Sequence, residues 1–159
     1  MSPEPHASSH GFSFIELVIA TAVMIVLASS ALPLARVSVK RQKEAELHAD
    51  LRMMRKALDD YKDAVATSVI GGISVTGTDG YPPDLETLVN GVVRANSATA
   101  SKIKFLRRIP IDPMTGKAEW GMRASGDNPD AKSWGGSNVY DVYSKSDGIA
   151  LDGSKYKDW

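Results

Sequence analysis

The chain has 159 residues, enough for one domain of ordinary size, and its 19 basic and 19 acidic residues give a formal net charge of 0. This balance does not point to nucleic acid as a partner. The chain contains no cysteine, which excludes a disulfide framework, a cysteine-ligated metal and a thiol nucleophile.

A long apolar segment lies near the N-terminus. Residues 12–35 are 24 residues with one charged side chain, that of Glu16. A helix of this length reaches roughly 36 Å, which exceeds the hydrocarbon core of about 30 Å. The segment is longer than the apolar core of a secretory signal. A buried helix so uniformly apolar would need a larger protein around it. We therefore predict a transmembrane helix.

Residues 1–11 precede this span and end in Gly11. An ordinary secretory signal has its small-residue cleavage site after the apolar core, whereas here the small residue comes before it. Cleavage after Gly11 would leave the apolar segment on the product. Phe12 would become the new N-terminal residue, with Glu16 one helical turn away.

Glu16 is costly in lipid unless it is paired. An isolated carboxylate in hydrocarbon costs roughly 2.5–3.5 kcal/mol on insertion scales. The amine freed at Phe12 is the nearest candidate partner, either within the same chain at i and i+4 or on a neighbouring copy. Pairing between copies would fix the register of an assembly, because every other stagger leaves an acid unpaired. The residues leave both arrangements open.

Past the span, the pattern predicts an amphipathic helix over residues 36–66 that continues the span, so that one helix runs from Phe12 to about Ala66. Pro33 predicts a local break or kink before it. One apolar stripe follows, with spacings of 4, 3, 4, 3 and 4: Leu47, Leu51, Met54, Leu58, Tyr61 and Val65. We expect the stripe to pack on the chain's own globular part rather than on a partner helix. The polar face carries two opposite-charge i,i+4 pairs, Arg55–Asp59 and Lys56–Asp60.

Residues 67–159 predict a globular part. After a loop at 68–80, Asp84 is a predicted N-cap of a short helix that Gly91 closes, with Leu85, Leu88 and Val89 facing inward. Residues 102–111 hold a basic cluster, and we predict a solvated segment there rather than a nucleic-acid patch. Strands are predicted at about 118–122 and at 139–144, paired antiparallel across the helical stripe. The fold class is therefore α+β.

The stretch G-F-S-F-I-E-L-V-I-A at residues 11–20 resembles the processing motif of type IV pilins and of the pseudopilins of type II secretion. Weaker motifs follow in the order typical of the pseudopilin G group, the major pseudopilin. They are Tyr81-Pro82 to Val89, Leu106 to Gly116, Tyr140 to Gly148, and Trp159. Most of the chain is covered by this resemblance. It implies a pilin-like fold, with a long N-terminal helix packed by a small antiparallel sheet.

The resemblance also implies a role for each residue of the motif. Prepilin peptidase would cut between Gly11 and Phe12 and methylate the amine of Phe12, and Glu16 would register neighbouring subunits. The product would cross the bacterial inner membrane once, with residues 67–159 in the periplasm. Its implied partners are membrane lipid, further copies in a periplasmic filament, minor pseudopilins and the inner-membrane assembly platform.

The charges that follow the span predict a membrane orientation opposite to the one that the motif implies. Four cations follow it: Arg36, Lys40, Arg41 and Lys43. The positive-inside rule alone would place them in the cytoplasm. The resemblance places them in the periplasm, and we follow the motif.

Many pseudopilin G proteins bind calcium in the loop after the last strand. This chain offers Ser146, Asp147, Asp152 and Asp158 there, and calcium needs six to eight oxygen ligands. Nearby lysines oppose a cation, so the alternative is two tight Asp-Gly turns without metal. The metal-free alternative is the one we favour, and no other cofactor is expected.

The sequence contains no catalytic motif, such as G-x-S-x-G, a P-loop, H-E-x-x-H or a dinucleotide fingerprint. We therefore expect a substrate of an enzyme rather than an enzyme. The main hypothesis is a subunit of the type II secretion pseudopilus, which drives protein export. The alternatives are a type IV pilus subunit for adhesion, motility or DNA uptake, and a membrane-anchored binding domain that does not polymerise.

Overall fold

The computed structural model describes residues 11, 13–70, 78–95, 97–131 and 133–159, with the backbone alone at residues 30–34. The predicted leader up to residue 10, Phe12 and most of the predicted loop at 68–80 lie outside the described residues. The chain divides into two units, Met1–Val39 and Lys40–Trp159.

One long helix, α1, runs over Phe14–Ala66 and includes 53 residues. It joins the two segments predicted at 12–35 and 36–66. The helix continues through position 33. The side chain of Pro33 lies outside the described residues, so a bend there stays a prediction. Within the part of the chain that the structure describes, no helix is both long enough and apolar enough to cross a bilayer.

The hydrophobic core lies in the second unit, and the stripe of α1 forms its centre. Leu47, Leu51, Met54, Leu58 and Tyr61 are each at most 1% exposed. They form one cluster with apolar residues of the following segments, and the ring of Phe105 meets Tyr61 edge-on at 5.3 Å. The prediction that this stripe packs on the chain's own globular part is confirmed.

The short helix α2 covers Leu85–Asn90, as predicted. The Asp84 carboxylate caps it by accepting a hydrogen bond of 2.7 Å from the backbone N–H of Thr87. Gly91 ends it with a φ of 76°, a conformation that favours glycine. Leu85 and Leu88 are buried in the core.

Two small antiparallel sheets complete the fold. Strands β1 (Val92–Val93) and β2 (Lys102–Ile103) form one pair. Strands β3 (Trp120–Arg123) and β4 (Asp141–Ser144) form the other, with Trp120 opposite Ser144. The antiparallel pairing predicted for 118–122 and 139–144 is confirmed, although both strands begin two residues later. A 3-10 turn at Tyr156–Asp158 follows.

The prediction of a solvated segment at 102–111 is wrong in part. Residues 102 and 103 form β2, and Leu106 is buried in the core. The backbone N–H groups of Phe105 and Leu106 both donate to the carbonyl of Leu88, which fastens this segment to the end of α2. Arg107 and Arg108 are exposed, so the basic residues face solvent while their apolar neighbours pack inward.

Candidate functional site

The first sixteen residues of α1 form an exposed apolar surface. Every side chain from residue 13 to residue 29 is exposed. Phe14 is 82% exposed, Met24 70% and Val26 69%. Large apolar side chains of soluble proteins are mostly buried, and a continuous exposed set marks an interaction site. This surface is therefore suited to lipid or to other apolar helices.

The polar side chains of this surface are satisfied locally, with one exception. Thr21 Oγ1 donates to the carbonyl of Leu17 at 2.9 Å, and Ser29 Oγ donates to the carbonyl of Ile25 at 2.8 Å. Such bonds let hydroxyl groups enter an apolar medium. Glu16 is exposed and makes no hydrogen bond or ion pair with any residue that the structure describes. It is the one charged side chain among residues 14–29.

Gly11, one of the two predicted processing residues, precedes α1. Gly11 is exposed, outside the helix, and a side chain built there would meet no atom within 4 Å. Phe12 lies outside the described residues, so its pairing with Glu16 and its methylation stay predictions.

A C-terminal clasp, residues 149–159, lies along α1 in the second unit. Lys40 Nζ donates to the carbonyl of Ile149 at 2.6 Å. Glu44 Oε1 accepts from the N–H of Leu151 and from the hydroxyl of Tyr156, each at 2.9 Å. Burial of Tyr156, helped by this bond to Glu44, raises the pKa of its hydroxyl to about 12. The end of the chain is thus bound to the turns of α1 that follow the apolar surface.

The clasp ends in an aromatic stack. The ring of Trp159 lies on the imidazole of His48, with centroids 4.0 Å apart and planes inclined by 9°. The Trp159 carbonyl accepts a hydrogen bond of 2.8 Å from Arg55 Nη2. The sequence analysis missed the clasp because its partners are more than 100 residues apart in the chain.

Arg55 joins the clasp to strand β4. Its Nε donates to Asp141 Oδ1 at 2.7 Å, and Arg123 Nη1 lies 3.3 Å from the other oxygen of the same carboxylate. The predicted pair of Arg55 with Asp59 is therefore wrong, because the partly buried carboxylate of Asp141 takes the guanidinium. The predicted pair of Lys56 with Asp60 is confirmed, at 2.7 Å.

Two of the residues considered for calcium, Ser146 and Asp152, make hydrogen bonds within local turns. Ser146 Oγ accepts from the N–H of Gly148. Asp152 Oδ1 accepts from the N–H and the hydroxyl of Ser154 at 2.8 and 2.7 Å, and these bonds lower the pKa of Asp152. Asp147 and Asp158 are exposed. Among the described residues, no three acidic or histidine side chains come together in a group that could hold a metal. Asp147, Asp152 and Asp158, three of the residues considered for calcium, therefore form no such group in the described part of the chain.

Comparison with known proteins gave no match: no family model fits the chain, and no curated protein or solved structure is significantly similar to it.

Proposed function

We propose that this protein is a structural subunit of the type II secretion pseudopilus, a periplasmic filament that drives protein export. The observation that carries the proposal is the start of α1. An exposed apolar helix begins three residues after a glycine and bears one carboxylate, Glu16, in its first turn, and no residue in the described part of the chain pairs with it. Neither a soluble domain nor a plain membrane anchor needs a carboxylate at that position.

The chemistry of assembly follows from the apolar surface. Before assembly, residues 12–35 would lie in the inner membrane as a single span, where lipid covers the exposed apolar side chains. Prepilin peptidase would cut after Gly11 and methylate Phe12, which leaves an ammonium group beside Glu16. In a bundle of parallel copies, the Glu16 of one copy would pair with the Phe12 amine of the next. Helix packing would supply the cohesion, and this charge pair would select one stagger.

In this proposal, the second unit is the globular part that each subunit carries. Its core is built on residues 47–65 of α1. The helix that would pack in the filament therefore also supports the globular part. The clasp and the Arg55–Asp141 pair bind the last strand and the chain end to that helix. Growth of such a filament from the membrane would act on exported proteins. It is a non-catalytic role, with minor pseudopilins and the assembly platform as partners.

The test is assembly of the full-length chain in a bacterium that carries the secretion and prepilin-processing machinery. Glu16→Ala is expected to insert in the membrane yet fail to form filaments, as judged by electron microscopy of sheared cells. Glu86→Ala is the matched control, because Glu86 is an exposed acid in α2, away from the motif, and its filaments should equal those of the wild type. A membrane-anchored domain that does not polymerise would give no filaments with any of the three chains. Normal filaments from Glu16→Ala would contradict the proposed role of the acid.

A further inference from the structure

The part of α1 just past the apolar surface carries a basic turn followed by acidic residues. The basic turn has Lys40, Arg41 and Lys43; the acidic residues are Glu44, Glu46 and Asp50. Two parallel copies packed in register would place like charges side by side. A copy displaced along the helix would instead bring the basic turn of one chain to the acidic residues of the other.

The contacts within the chain leave only some of these charges available. Lys40 is bound to the Ile149 carbonyl, and Glu44 is bound to the clasp. Arg41 and Glu46 are exposed, and neither has a hydrogen bond or ion pair with any residue in the described part of the chain. Lys43 is also exposed, but it lies three residues from Glu46, within reach in the same chain.

Glu46 lies beside a second acidic side chain of α1. Asp50, one turn further along α1, is a like charge. Burial and the repulsion of Glu46 raise the pKa of Asp50, while Arg108 acts in the opposite direction. Glu46 and Asp50 line one groove together with Arg107 and Arg108. No hydrogen bond or ion pair joins Glu46 to either arginine in the described part of the chain.

Helix geometry prevents Arg41 and Glu46 from pairing within one chain and favours pairing between copies. Five residues turn an α-helix by about 140° beyond one full turn, so the two side chains project from different sides of α1. A contact that joins two different sides of identical subunits is heterologous and extends into a filament rather than a closed dimer. Five residues correspond to a displacement of roughly 7.5 Å along the helix. Arg41 and Glu46 are thus five residues apart, and Phe12 and Glu16 are four residues apart.

We infer that Arg41 of one copy pairs with Glu46 of the neighbouring copy, as a second charge pair that sets the stagger of the filament. The inference rests on the proposed function, because it needs parallel copies of the helix. Like the pairing at Glu16, this pair would favour one stagger between copies, but it lies in the part of α1 that is exposed to water. Since both groups are exposed, the pair contributes to register more than to cohesion.

Cross-linking tests this pair directly, because the chain has no cysteine of its own. Full-length Arg41→Cys and Glu46→Cys chains would be produced together in the assembling cell and treated with a short bis-maleimide. Dimers are expected only when both variants are present. Arg52→Cys with Glu46→Cys is the matched control, since Arg52 is an exposed cation of the same helix. Equal dimer yields from the two pairs would overturn the inference.

Charge reversal is a second, independent test of the pair. Arg41→Glu and Glu46→Arg should each reduce the filament yield severalfold, and the double variant should regain most of the wild-type yield. Single variants with wild-type yields, or a double variant worse than either single one, would overturn the pair. Filaments that form without the 41–46 cross-link would sink this inference and leave the proposed function standing. Absence of filaments from the wild-type chain would remove both.

Discussion

Replacement of Asp141 by alanine is expected to destabilise the second unit. The carboxylate holds two guanidinium groups, Arg55 at 2.7 Å and Arg123 at 3.3 Å. Arg55 also reaches the carbonyls of Val142 and Trp159. Arg55, Arg123 and Asp141 thus form a charged hub that connects α1, strand β4 and the chain end. Asp141→Ala removes the carboxylate of this hub.

The magnitude follows from burial. The side chains of Arg55, Asp141 and Arg123 are 39%, 24% and 15% exposed. A hydrogen bond to a charged group contributes about 1.5–3 kcal/mol, and loss of one partner of a fully buried pair costs about 3–5 kcal/mol. Arg55 keeps access to water, which reduces its share, whereas Arg123 would stay largely buried with less compensation. We expect a loss of about 2 kcal/mol in the free energy of unfolding.

Urea unfolding of the full chain in a nonionic detergent, followed by tryptophan fluorescence, measures this loss. With a slope of about 2 kcal/mol per molar urea, the midpoint should fall by about 1 M. Asp130→Ala is the control, because Asp130 is exposed and should shift the midpoint little. If Asp141→Ala unfolds at the same urea concentration as this control, the hub does not stabilise the fold.

Three further predictions concern the core, the cap and the clasp. Leu88→Ala removes a side chain that is 0% exposed and should cost about 2–5 kcal/mol in the same urea experiment, whereas a cost below 1 would contradict its place in the core. Asp84→Ala removes the cap of α2 and should cost about 1 kcal/mol, with Asp84→Ser restoring most of it. The pKa of Tyr156 is raised from 10.0 to about 12, so its contribution is complete below pH 10 and falls as the pH rises from 10 to 12. Tyr156→Phe should make stability less dependent on pH in that interval; an unchanged profile would show that the tyrosine does not titrate as described.

Local patterns predicted the elements of this fold well. The spacing of apolar residues from Leu47 to Tyr61 identified the buried face of α1, because a helix repeats every 3.6 residues whatever packs against it. The Asp84 cap and the Gly91 end of α2 depend on the backbone of a few neighbouring residues, so the sequence contains them directly.

Long-range contacts were not predictable in the same way. Arg55 has Asp59 one turn away, yet it pairs with Asp141, because tertiary packing offers it a less exposed carboxylate and two carbonyl groups. The clasp depends on Glu44 meeting Tyr156, and no periodicity marks such a pair. Strands β1 and β2 have two residues each, too short for an alternating pattern to emerge. The apolar surface was evident from sequence, whereas the structure was needed to show that Arg41 and Glu46 are exposed and lack a bonded partner among the residues it describes.

The mass of the mature N-terminus tests the central claim most directly. The chain would be purified from membranes of a bacterium that assembles it, digested, and its first peptide sequenced by mass spectrometry. A filament subunit of this kind predicts a first residue Phe12 that carries one additional methyl group, with residues 1–11 absent. A chain that still begins at Met1 in that cell, or one cut after the apolar segment, would contradict the account.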